Sequence, residues 1–338
     1  MTELLSIRGL RTWFHTRAGV AHAVNDVSLS IAPGETLALV GESGSGKSVT
    51  ALSILRLIQE PGRIEAGEIL FRGTNLLSME DRMLRGIRGN RIAMIFQEPL
   101  SAFNPVQSVG AQITEAIRLH QRISRRAAFT RAIELLEQVG IPSPDARAHE
   151  FPHRLSGGMR QRAMIALALA CAPDLLIADE PTTALDVTTQ AQILDLLKSL
   201  QAENGMGLLL ITHDLGVVAE TADRAAVLYA GRVVEEGTVD TLFAHPSHPY
   251  TTGLLASVAI DGLLPGERLP EIPGTVPSLL AMPQGCTFAD RCPLASAACF
   301  THTPSFSALE EGHRVACFQG SDFQGSDARD QESEPLVA

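Results

Sequence analysis

The sequence lacks a long apolar run, and this absence limits its relation to a membrane. Its longest apolar stretch, from Ala163 to Pro173, is far shorter than the roughly 20 residues that a transmembrane helix needs. The first residues also lack the basic segment followed by an apolar segment that marks a secretory signal. We therefore expect a soluble, cytoplasmic chain that does not cross a bilayer.

Positive charge is also in deficit. The 338 residues carry 27 Lys and Arg against 38 Asp and Glu, which gives a formal net charge of −11. An acidic surface opposes nonspecific binding to nucleic acid and to anionic lipid. We therefore expect no nucleic-acid partner, and we expect any contact with a membrane to go through another protein. The length predicts a large α/β core with one or two added parts.

Cysteine is scarce and unevenly distributed. Four of the five cysteines fall in the last part of the chain: Cys286, Cys292, Cys299 and Cys317. A reducing cytoplasm argues against disulfides, so this clustering leaves a metal site or ordinary buried thiols as interpretations. The fifth, Cys171, lies in an Ala/Leu-rich segment and is expected to be a small core residue.

The first part of the chain contains a glycine-rich segment, GESGSGKS, at residues 41–48. An apolar run at residues 37–40 precedes it and a helix-compatible run at residues 49–55 follows, so a strand, a loop and a helix are expected in that order. This is the pattern and the context of a phosphate-binding loop. The sequence therefore predicts nucleotide binding here.

The chemistry of such a loop depends on its residue types. Glycines allow successive backbone N–H groups to point inward at phosphate oxygens, and the positive end of the next helix points to the same place. A lysine reaches the β- and γ-phosphates, and the hydroxyl that follows it ligates Mg²⁺. The residues expected to hold the phosphates and the metal are Gly41, Ser43, Gly44, Gly46, Lys47 and Ser48.

Three further apolar segments end in polar residues. They are residues 91–96 ending at Gln97, residues 175–178 ending at Asp179 and Glu180, and residues 208–212 ending at His213. Asp179 could bind Mg²⁺, Glu180 could polarise the water that attacks a phosphate, and Gln97 could sense either. Adjacent acids that end a buried strand are costly without a cation. A lone Gln or His is more often structural, so their assignment depends on all three ends meeting at one site.

The N-terminal segment alternates in polarity. Residues 4–8 and 23–31 place apolar side chains at every second position, which predicts a small antiparallel sheet. Trp13, Phe14 and His15 are expected between these strands, where a flat ring could stack on an adenine base. The alternative is an aromatic ring that covers the edge of the sheet.

A second anion site is predicted at the end of the middle region. Residues 108–172 show helical spacing of apolar side chains, and this region contains LSGGMRQR at residues 155–162. Ser156 can cap the next helix, and Gly157 and Gly158 leave its amide groups uncovered. Alone this is no more than a capped helix. Because the chain has one full nucleotide loop, we expect the second site to serve a nucleotide held by another subunit.

In their order and spacing, these motifs resemble those of the ATPase subunits of ATP-binding cassette (ABC) transporters over about residues 4–240. The resemblance implies an α/β fold: a P-loop RecA-like ABC ATPase core with an N-terminal antiparallel β subdomain, a helical subdomain and, after them, a small cysteine-containing C-terminal extension. It also implies ATP hydrolysis with ATP and Mg²⁺ as cofactors, in a head-to-tail dimer that encloses two ATP molecules.

The resemblance also implies a role for each motif residue. Those that would hold Mg·ATP are Lys47, Ser48, Gln97 and Asp179, and those that would close on the γ-phosphate across the dimer are Ser156, Gly157 and Gly158. Those with single roles are Glu180 as general base, His213 on the γ-phosphate, Asp186 in communication between subunits, and Phe14, chosen over Trp13, on the adenine.

The remaining motifs resemble the dipeptide/oligopeptide (nickel) importer branch of this family. They are EPLSAFNP at residues 98–105, HPYT at 248–251, IPGTVP at 272–277 and the cysteine segment from residue 285. Members of this branch have been seen to bind an iron–sulfur cluster through the cysteine group. The resemblance therefore makes Cys286, Cys292, Cys299 and Cys317 candidate [4Fe–4S] ligands. Zinc fits four sulfurs equally well, and plain thiols remain the third interpretation.

The resemblance divides the chain into an ABC ATPase domain at residues 1–240, with a helical subdomain at about 98–172, and an importer-type extension at 241–318. Residues 319–338 are polar and are expected to be disordered. The implied partners are two membrane permease subunits, a second ABC ATPase subunit and, indirectly, an extracellular or periplasmic peptide-binding protein. The implied location is peripheral, on the cytoplasmic face of the (inner) membrane.

Several alternatives stay open at this point. The cargo of related systems includes dipeptides, longer peptides, nickel chelates and glutathione, and the partner ATPase is either a second copy or a sister subunit. A different function is a soluble ABC ATPase of DNA repair or translation. That class usually carries a coiled-coil insertion or two ATPase units in one chain, and neither is visible here. A P-loop kinase would leave residues 155–161 unexplained.

Overall fold

The fold is described by a computed structural model that covers residues 3–98, 102–183, 185–258, 271–310 and 312–319. Outside the described residues lie the predicted tail from residue 320 onward, and also Pro99, Leu100 and Ser101 of the importer-type segment. None of the described helices is both long enough and apolar enough to span a bilayer.

The described residues form both strands and α-helices. The strands are β1 (Leu5–Thr16), β2 (Gly19–Ile31), β3 (Thr36–Val40), β4 (Gly62–Phe71), β5 (Thr74–Asn75), β6 (Ile92–Ile95), β7 (Leu175–Asp179), β8 (Gly207–Ile211), β9 (Arg224–Tyr229), β10 (Arg232–Thr238), β11 (Ser307–Glu310) and β12 (His313–Val315). The α-helices are α1 (Lys47–Ile54), α2 (Asp81–Ile87), α3 (Val109–His120), α4 (Arg125–Gln138), α5 (Pro144–Ala148), α6 (Gly157–Ala168), α7 (Val187–Asn204), α8 (Leu215–Thr221), α9 (Val239–Ala244), α10 (Pro249–Val258) and α11 (Ala297–Thr301).

The N-terminal strands form an antiparallel sheet in the order β2-β1-β4-β5. β1 continues through Trp13, Phe14 and His15, so the expectation that these residues lie between strands was wrong. The reason is pairing on both sides of β1: Phe14 lies opposite Ala21 of β2 and opposite Gly62 of β4. Two ladders of backbone hydrogen bonds extend the strand beyond its alternating apolar residues.

A larger sheet carries the strand ends that the sequence singles out. Its order is β11-β12-β10-β9-β3-β8-β7-β6, and the strands from β9 to β6 run parallel to one another. β3, β7 and β8 are buried along their whole length, which explains their continuous apolar sequences, since both faces of a parallel sheet are covered. Because parallel strands end at one edge, the residues that follow β3, β6, β7 and β8 lie beside one another.

Helices α3 to α6 form the helical region that the periodicity predicts. Ser108 and Ser124 cap α3 and α4, and each hydroxyl accepts a hydrogen bond from a backbone N–H group. Ile113, Leu136 and Ile165 from three of these helices are buried in one hydrophobic cluster that also contains residues of β6 and β7. The helical region is therefore packed on the strands that lead into the candidate site.

The C-terminal extension is continuous with the main sheet. β12 pairs with β10, where Glu235 lies opposite Val315. Tyr229, Tyr250 and Phe288 are buried in one aromatic cluster with ring centroids 4.6, 5.2 and 5.5 Å apart. Tyr229 precedes the expected domain boundary near residue 240 and the other two follow it. One core therefore spans that boundary.

Candidate active site

The glycine-rich loop joins the end of β3 to the start of α1, as expected. Gly41 has φ 150°, and a Cβ there would lie 2.1 Å from the Leu228 carbonyl oxygen. Gly46 has φ 105°, and a Cβ there would lie 2.3 Å from the Ala23 carbonyl oxygen. A side chain at either position would collide with backbone, so the loop needs glycine to keep its amide groups uncovered. Among the described residues the buried Ser45 hydroxyl finds no hydrogen-bond partner, which fits a site that receives phosphate oxygens.

Lys47 is the first residue of α1 and is almost fully buried. Its Nζ donates to the Gly41 carbonyl oxygen at 2.7 Å and to the Glu42 carbonyl oxygen at 3.0 Å. Burial lowers the pKa of Lys47, while the charges of Glu180 and Asp179 oppose that shift. The ammonium group is therefore held within the loop itself, beside the carboxylates at the end of β7.

Ser48 and Asp179 form the pair that the sequence predicts for Mg²⁺. The Ser48 hydroxyl donates to Asp179 Oδ1 at 3.1 Å. Burial raises the pKa of Asp179, and the hydrogen bond from Ser48 and the charge of Lys47 lower it in part. A hydroxyl and a carboxylate at this distance are suitable oxygen ligands for Mg²⁺ beside bound phosphates.

The Glu180 carboxylate contacts side chains that follow two other strands. Its Oε2 accepts hydrogen bonds from Gln97 Nε2 and from Thr183 Oγ1, both at 2.9 Å, and His213 Nδ1 lies 3.3 Å from Oε1. Glu180 itself has φ 46°, a left-handed conformation that is strained for a non-glycine residue and is often found at active sites. The expected convergence of Gln97, Glu180 and His213 is present in the structure.

The environment of Glu180 keeps its carboxyl group ionised. Burial raises its pKa, but the hydrogen bonds from Thr183 and His213, together with the charges of His213 and Lys47, outweigh burial, and the net effect lowers the pKa below its ordinary value. An ionised carboxylate is the form that accepts a proton from water. The sequence motifs did not single out Thr183.

Two acidic residues near the site act as helix caps. Asp214 caps α8 by accepting hydrogen bonds from Gly216 N at 2.9 Å and Val217 N at 3.3 Å. Asp186 caps α7 through Thr189 N at 2.9 Å and Thr189 Oγ1 at 2.8 Å, and these bonds lower its pKa. Asp214 therefore has a structural role as a cap, while the neighbouring His213 lies beside Glu180.

The second predicted anion site lies at the start of α6. Ser156 caps this helix as predicted, since its hydroxyl accepts a hydrogen bond from Met159 N at 3.3 Å. Ser156 and Gly157 are exposed. A Cβ on Gly158 would lie 3.0 Å from Thr189 Cγ2. The start of α6 is therefore beside the start of α7, and the described residues show no hydrogen bond between it and residues 41–46.

The aromatic residues of β1 have different surroundings. The Trp13 ring stacks on His22, with centroids 4.3 Å apart and planes inclined by 12°. Phe14 is half-buried, and its ring edge lies 2.7 Å from where a Cβ on Gly62 would be. Trp13 already has a stacking partner within the chain. The choice of Phe14 for the adenine stays a prediction.

The four C-terminal cysteines are near neighbours in the extension. Cys286 N donates to the Cys299 carbonyl oxygen at 2.7 Å. Burial raises the pKa of the Cys317 thiol to about 11, and the three other cysteines contribute to the increase. Burial likewise raises the pKa of Cys286 and of Cys292. In the part of the chain that the structure describes, no group of three or more His, Cys, Asp or Glu side chains is arranged to hold a metal ion.

Sequence reasoning also missed a contact between the extension and the loop. Arg291 pairs with the carboxylate of Glu42, at distances of 2.9 and 3.1 Å, and the Glu42 N–H donates to the Tyr250 hydroxyl at 2.9 Å. Glu42 lies in the loop and Arg291 directly precedes Cys292. A pair separated by 249 residues leaves no periodic signal in the sequence.

Known proteins share both parts of this architecture. The family described as "ABC transporter" matches residues 24–183, and the family described as "Oligopeptide/dipeptide transporter, C-terminal region" matches residues 234–299. A putative peptide import ATP-binding protein of Brucella ovis is 54% identical over 327 residues, covering 94% of this chain and 97% of the relative. The chain belongs to the ABC-transporter ATP-binding subunits. The family expected from the motifs is therefore confirmed.

Other relatives of this ABC ATPase agree in sequence and in fold. The oligopeptide transport ATP-binding protein AppD of Bacillus subtilis is 51% identical over 320 residues, covering 94% of this chain and 97% of the relative. A dimeric structure of the ATP-binding cassette MJ0796, bound to ADP and Pi, matches with a TM-score of 0.63 and 29% identity, covering 70% of this chain and 98% of that one. The expected ABC ATPase fold is confirmed, and membership implies ATP and Mg²⁺ as cofactors.

Proposed function

We propose that this ABC ATPase subunit hydrolyses ATP to power the import of di- or oligopeptides through a membrane permease. One observation carries the hydrolytic part: Gln97 and His213 converge on Glu180 at the edge of the sheet where the phosphate-binding loop lies. The peptide part is supported by the match of the C-terminal region and by the names of the relatives.

The loop and its neighbours would bind Mg·ATP. The uncovered amide groups of the loop and the Lys47 ammonium are suited to the phosphates, with Ser43, Gly44 and the other loop residues shaping the cradle. Ser48, Asp179 and Gln97 would hold Mg²⁺, which neutralises charge on the phosphates when bound. The Phe14 ring would stack on the adenine from the end of β1.

Glu180 would act as the general base. Gln97 and Thr183 both bond Oε2, so the carboxylate is fixed in orientation while Oε1 faces His213. A water molecule beside Oε1 would give a proton to the carboxylate as its oxygen attacks the γ-phosphorus, while the bond from that phosphorus to the bridging oxygen breaks and ADP leaves. His213, whose side chain is 65% exposed, would contact the same phosphate.

The start of α6 would complete the site of another subunit. Ser156, Gly157 and Gly158 form an exposed helix N-terminus, a geometry that favours a phosphate. Asp186 caps the neighbouring α7, and in this proposal it couples one site to the other. The dimeric form of the MJ0796 cassette supports this arrangement. The second ATPase subunit would be another copy of this chain or a sister.

The proposed partners follow from peptide import. They are two membrane permease subunits and, indirectly, an extracellular or periplasmic peptide-binding protein, with the chain peripheral on the cytoplasmic face of the (inner) membrane. The net charge of −11 supports the absence of a nucleic-acid partner. The alternative of a soluble ABC ATPase without a permease is not favoured by the relatives, whose names concern transport.

We also propose that the cysteine group binds a [4Fe–4S] cluster. Four thiolates are the number and type of ligand that such a cluster needs, and the Cys317 thiol lies close enough to Cys286, Cys292 and Cys299 for their charges to act on it. Such a cluster would tie the extension together. Protein purified without oxygen should be brown with about four irons per chain, and colourless protein with zinc or no metal would contradict this.

The transport function is tested with the assembled system. The tagged chain is isolated from host membranes with the proteins bound to it, and the complex is placed in liposomes. We expect permease subunits in the complex, Mg²⁺-dependent ATP hydrolysis that peptide and its binding protein stimulate, and peptide uptake. Recovery without a permease, or hydrolysis that responds to DNA or ribosomes and not to peptide, would favour the soluble alternative.

A further inference from the structure

The phosphate-binding loop carries an acidic side chain, and the C-terminal extension pairs with it. Arg291 ends the 3₁₀ turn Ala289–Arg291, between Cys286 and Cys292. Its Nη1 donates to Glu42 Oε2 at 2.9 Å and its Nη2 donates to Glu42 Oε1 at 3.1 Å. This is the paired, parallel geometry in which an arginine and a carboxylate interact most strongly.

Arg291 is fixed in this position by other parts of the extension and the sheet. Its side chain is 6% exposed. It donates to the carbonyl oxygens of Pro273 at 2.9 Å and Ile272 at 3.1 Å, and to the Tyr229 hydroxyl at 3.3 Å. A guanidinium with its donors engaged loses little further freedom on pairing, so it presents a preorganised charge to the loop.

A second contact reaches the backbone of the same loop residue. The Glu42 N–H donates to the Tyr250 hydroxyl at 2.9 Å, and Tyr250 is completely buried in the aromatic cluster. The binding of phosphate by such a loop depends on the direction of its successive amide groups. The extension therefore holds both the side chain and the backbone of Glu42.

A carboxylate inside an anion-binding loop needs a counter-charge. Glu42 is part of the loop and lies close enough to Lys47 for its charge to act on that ammonium group. If Glu42 were unpaired, its charge would repel phosphate oxygens in a partly buried site, where water screens the repulsion only weakly. Arg291 supplies an opposite charge at hydrogen-bond distance, so the pair presents little net charge to the loop.

We propose that Arg291 and Tyr250 are positioning residues for nucleotide binding. Arg291 neutralises and pins the Glu42 carboxylate, and Tyr250 fixes the loop backbone, so the C-terminal extension is a working part of the nucleotide site. This inference rests on the proposed ATPase function and adds to it two residues that lie outside the match to the ABC transporter family, which ends at residue 183.

The test measures binding of a fluorescent ATP analogue with Mg²⁺ to the purified full chain. Arg291→Met keeps much of the side-chain volume but leaves Glu42 unpaired, and we expect the Kd to rise about tenfold. Adding Glu42→Gln to that variant removes the unpaired charge, and we expect most of the affinity to return. Loss of structure in the extension would not be repaired by a neutral side chain in the loop, so this rescue identifies the charge pair.

Two further variants distinguish a loss of folding from a loss of the positioning contact. Tyr250→Phe removes one hydroxyl from the buried ring, and we expect the Kd to rise about fivefold, as for the loss of one hydrogen bond. This variant decides the proposal if Arg291→Met does not fold. Arg314→Lys is the matched control, because Arg314 pairs with Glu236 and lies over the Phe306 ring in the same extension. We expect it to bind the analogue as the wild type does.

The outcomes distinguish this inference from the proposed function. If the wild type does not bind the analogue, or if Lys47→Ala binds as well as the wild type, nucleotide binding by this loop is refuted. If the wild type binds and Lys47→Ala does not, but Arg291→Met and Tyr250→Phe both bind within twofold of the wild type, the positioning role is refuted. A weakened Arg291→Met variant that Glu42→Gln leaves equally weak also overturns the role of the charge pair.

Discussion

The end of β7 and the start of α6 both carry residues that we propose to serve ATP hydrolysis, but these residues find different numbers of partners within the chain. At the end of β7, the Glu180 carboxylate accepts hydrogen bonds from Gln97 and Thr183 within the same subunit. At the start of α6, Ser156 makes its capping bond, while Gly157 remains exposed. The first region is assembled by parallel strands of one chain. The second is a capped helix start, and we propose that its phosphate belongs to another subunit.

The largest effect expected in the first region is the loss of the general base. Glu180→Gln keeps the shape of the side chain and removes its ability to accept a proton, so hydrolysis should fall by about two to four orders of magnitude. Binding of ATP should remain. The measurement is steady-state phosphate release beside nucleotide affinity. Near-normal turnover by this variant in the reconstituted transporter would show that Glu180 is not the general base. The first region would then lack the catalytic group that distinguishes it from the second.

The next effect concerns binding rather than chemistry. Lys47→Ala removes the buried ammonium of the loop, and ATP affinity should fall about 100-fold because a charged contact to phosphate is lost. The sequence has one other lysine, Lys198, whose exposed ammonium donates to the Glu220 carbonyl oxygen. Lys198→Ala is therefore the matched control and should bind as the wild type does. Equal affinities in the two variants would show that the loop does not hold the nucleotide.

The second region is tested by adding a charge at its exposed glycine. A Cβ on Gly157 would meet no atom closer than 3.9 Å, and an acidic residue in the first turn of a helix is favourable. Gly157→Asp should therefore leave folding and the ATP affinity of the isolated chain unchanged. It should reduce hydrolysis at least about tenfold, because a carboxylate would repel the γ-phosphate of the other subunit.

The control for this variant places the same charge elsewhere. A Cβ on Gly86 in α2 would meet no atom within 4 Å, so Gly86→Asp should keep full hydrolysis. If Gly157→Asp also hydrolyses ATP normally, the start of α6 has no part in the reaction and the comparison between the two regions loses its functional meaning.

The smallest predicted effect concerns the pH dependence of the first region. The Thr183 hydrogen bond lowers the pKa of Glu180, so Thr183→Val should raise that pKa. Since Glu180 would act as a base only when ionised, the acid limb of the pH–rate profile should move to higher pH by up to about one unit, while turnover at neutral pH, where the carboxyl group stays ionised, should change little. Thr183→Ser retains the hydroxyl and should keep the wild-type profile. If the acid limb of Thr183→Val lies at the same pH as that of the wild type, Thr183 does not influence the pKa of the general base.

The sequence predicts the first region well because the signal for each of its residues lies in the neighbouring sequence. Gln97, Glu180 and His213 each end an apolar run, and the ends of parallel strands must meet at one edge of a sheet. The cap at Ser156 is predicted in the same way, from a serine directly before the helix. The sequence does not predict Thr183, because the bond to Glu180 depends on the conformation of a turn.

Contacts between distant segments were not predictable in this way. The bond between Arg291 and Glu42 joins the extension to the loop, and no spacing or periodicity connects them. The length of β1 was also misjudged, because its second pairing partner, β4, lies far along the chain. In both cases the deciding interaction is tertiary, while the sequence pattern reports local preference.

The most direct test of the account is the ATP-dependent assembly of the Glu180→Gln variant, measured by size-exclusion chromatography with light scattering. Because this variant should bind ATP without hydrolysing it, we expect a dimer of ATPase subunits with Mg·ATP, formed with itself or with the sister subunit that co-purifies, and a monomer without nucleotide. Adding Gly157→Asp to every subunit present should abolish the dimer while ATP affinity remains. A monomer at saturating Mg·ATP, or a dimer that Gly157→Asp leaves intact, would contradict a site shared between two subunits.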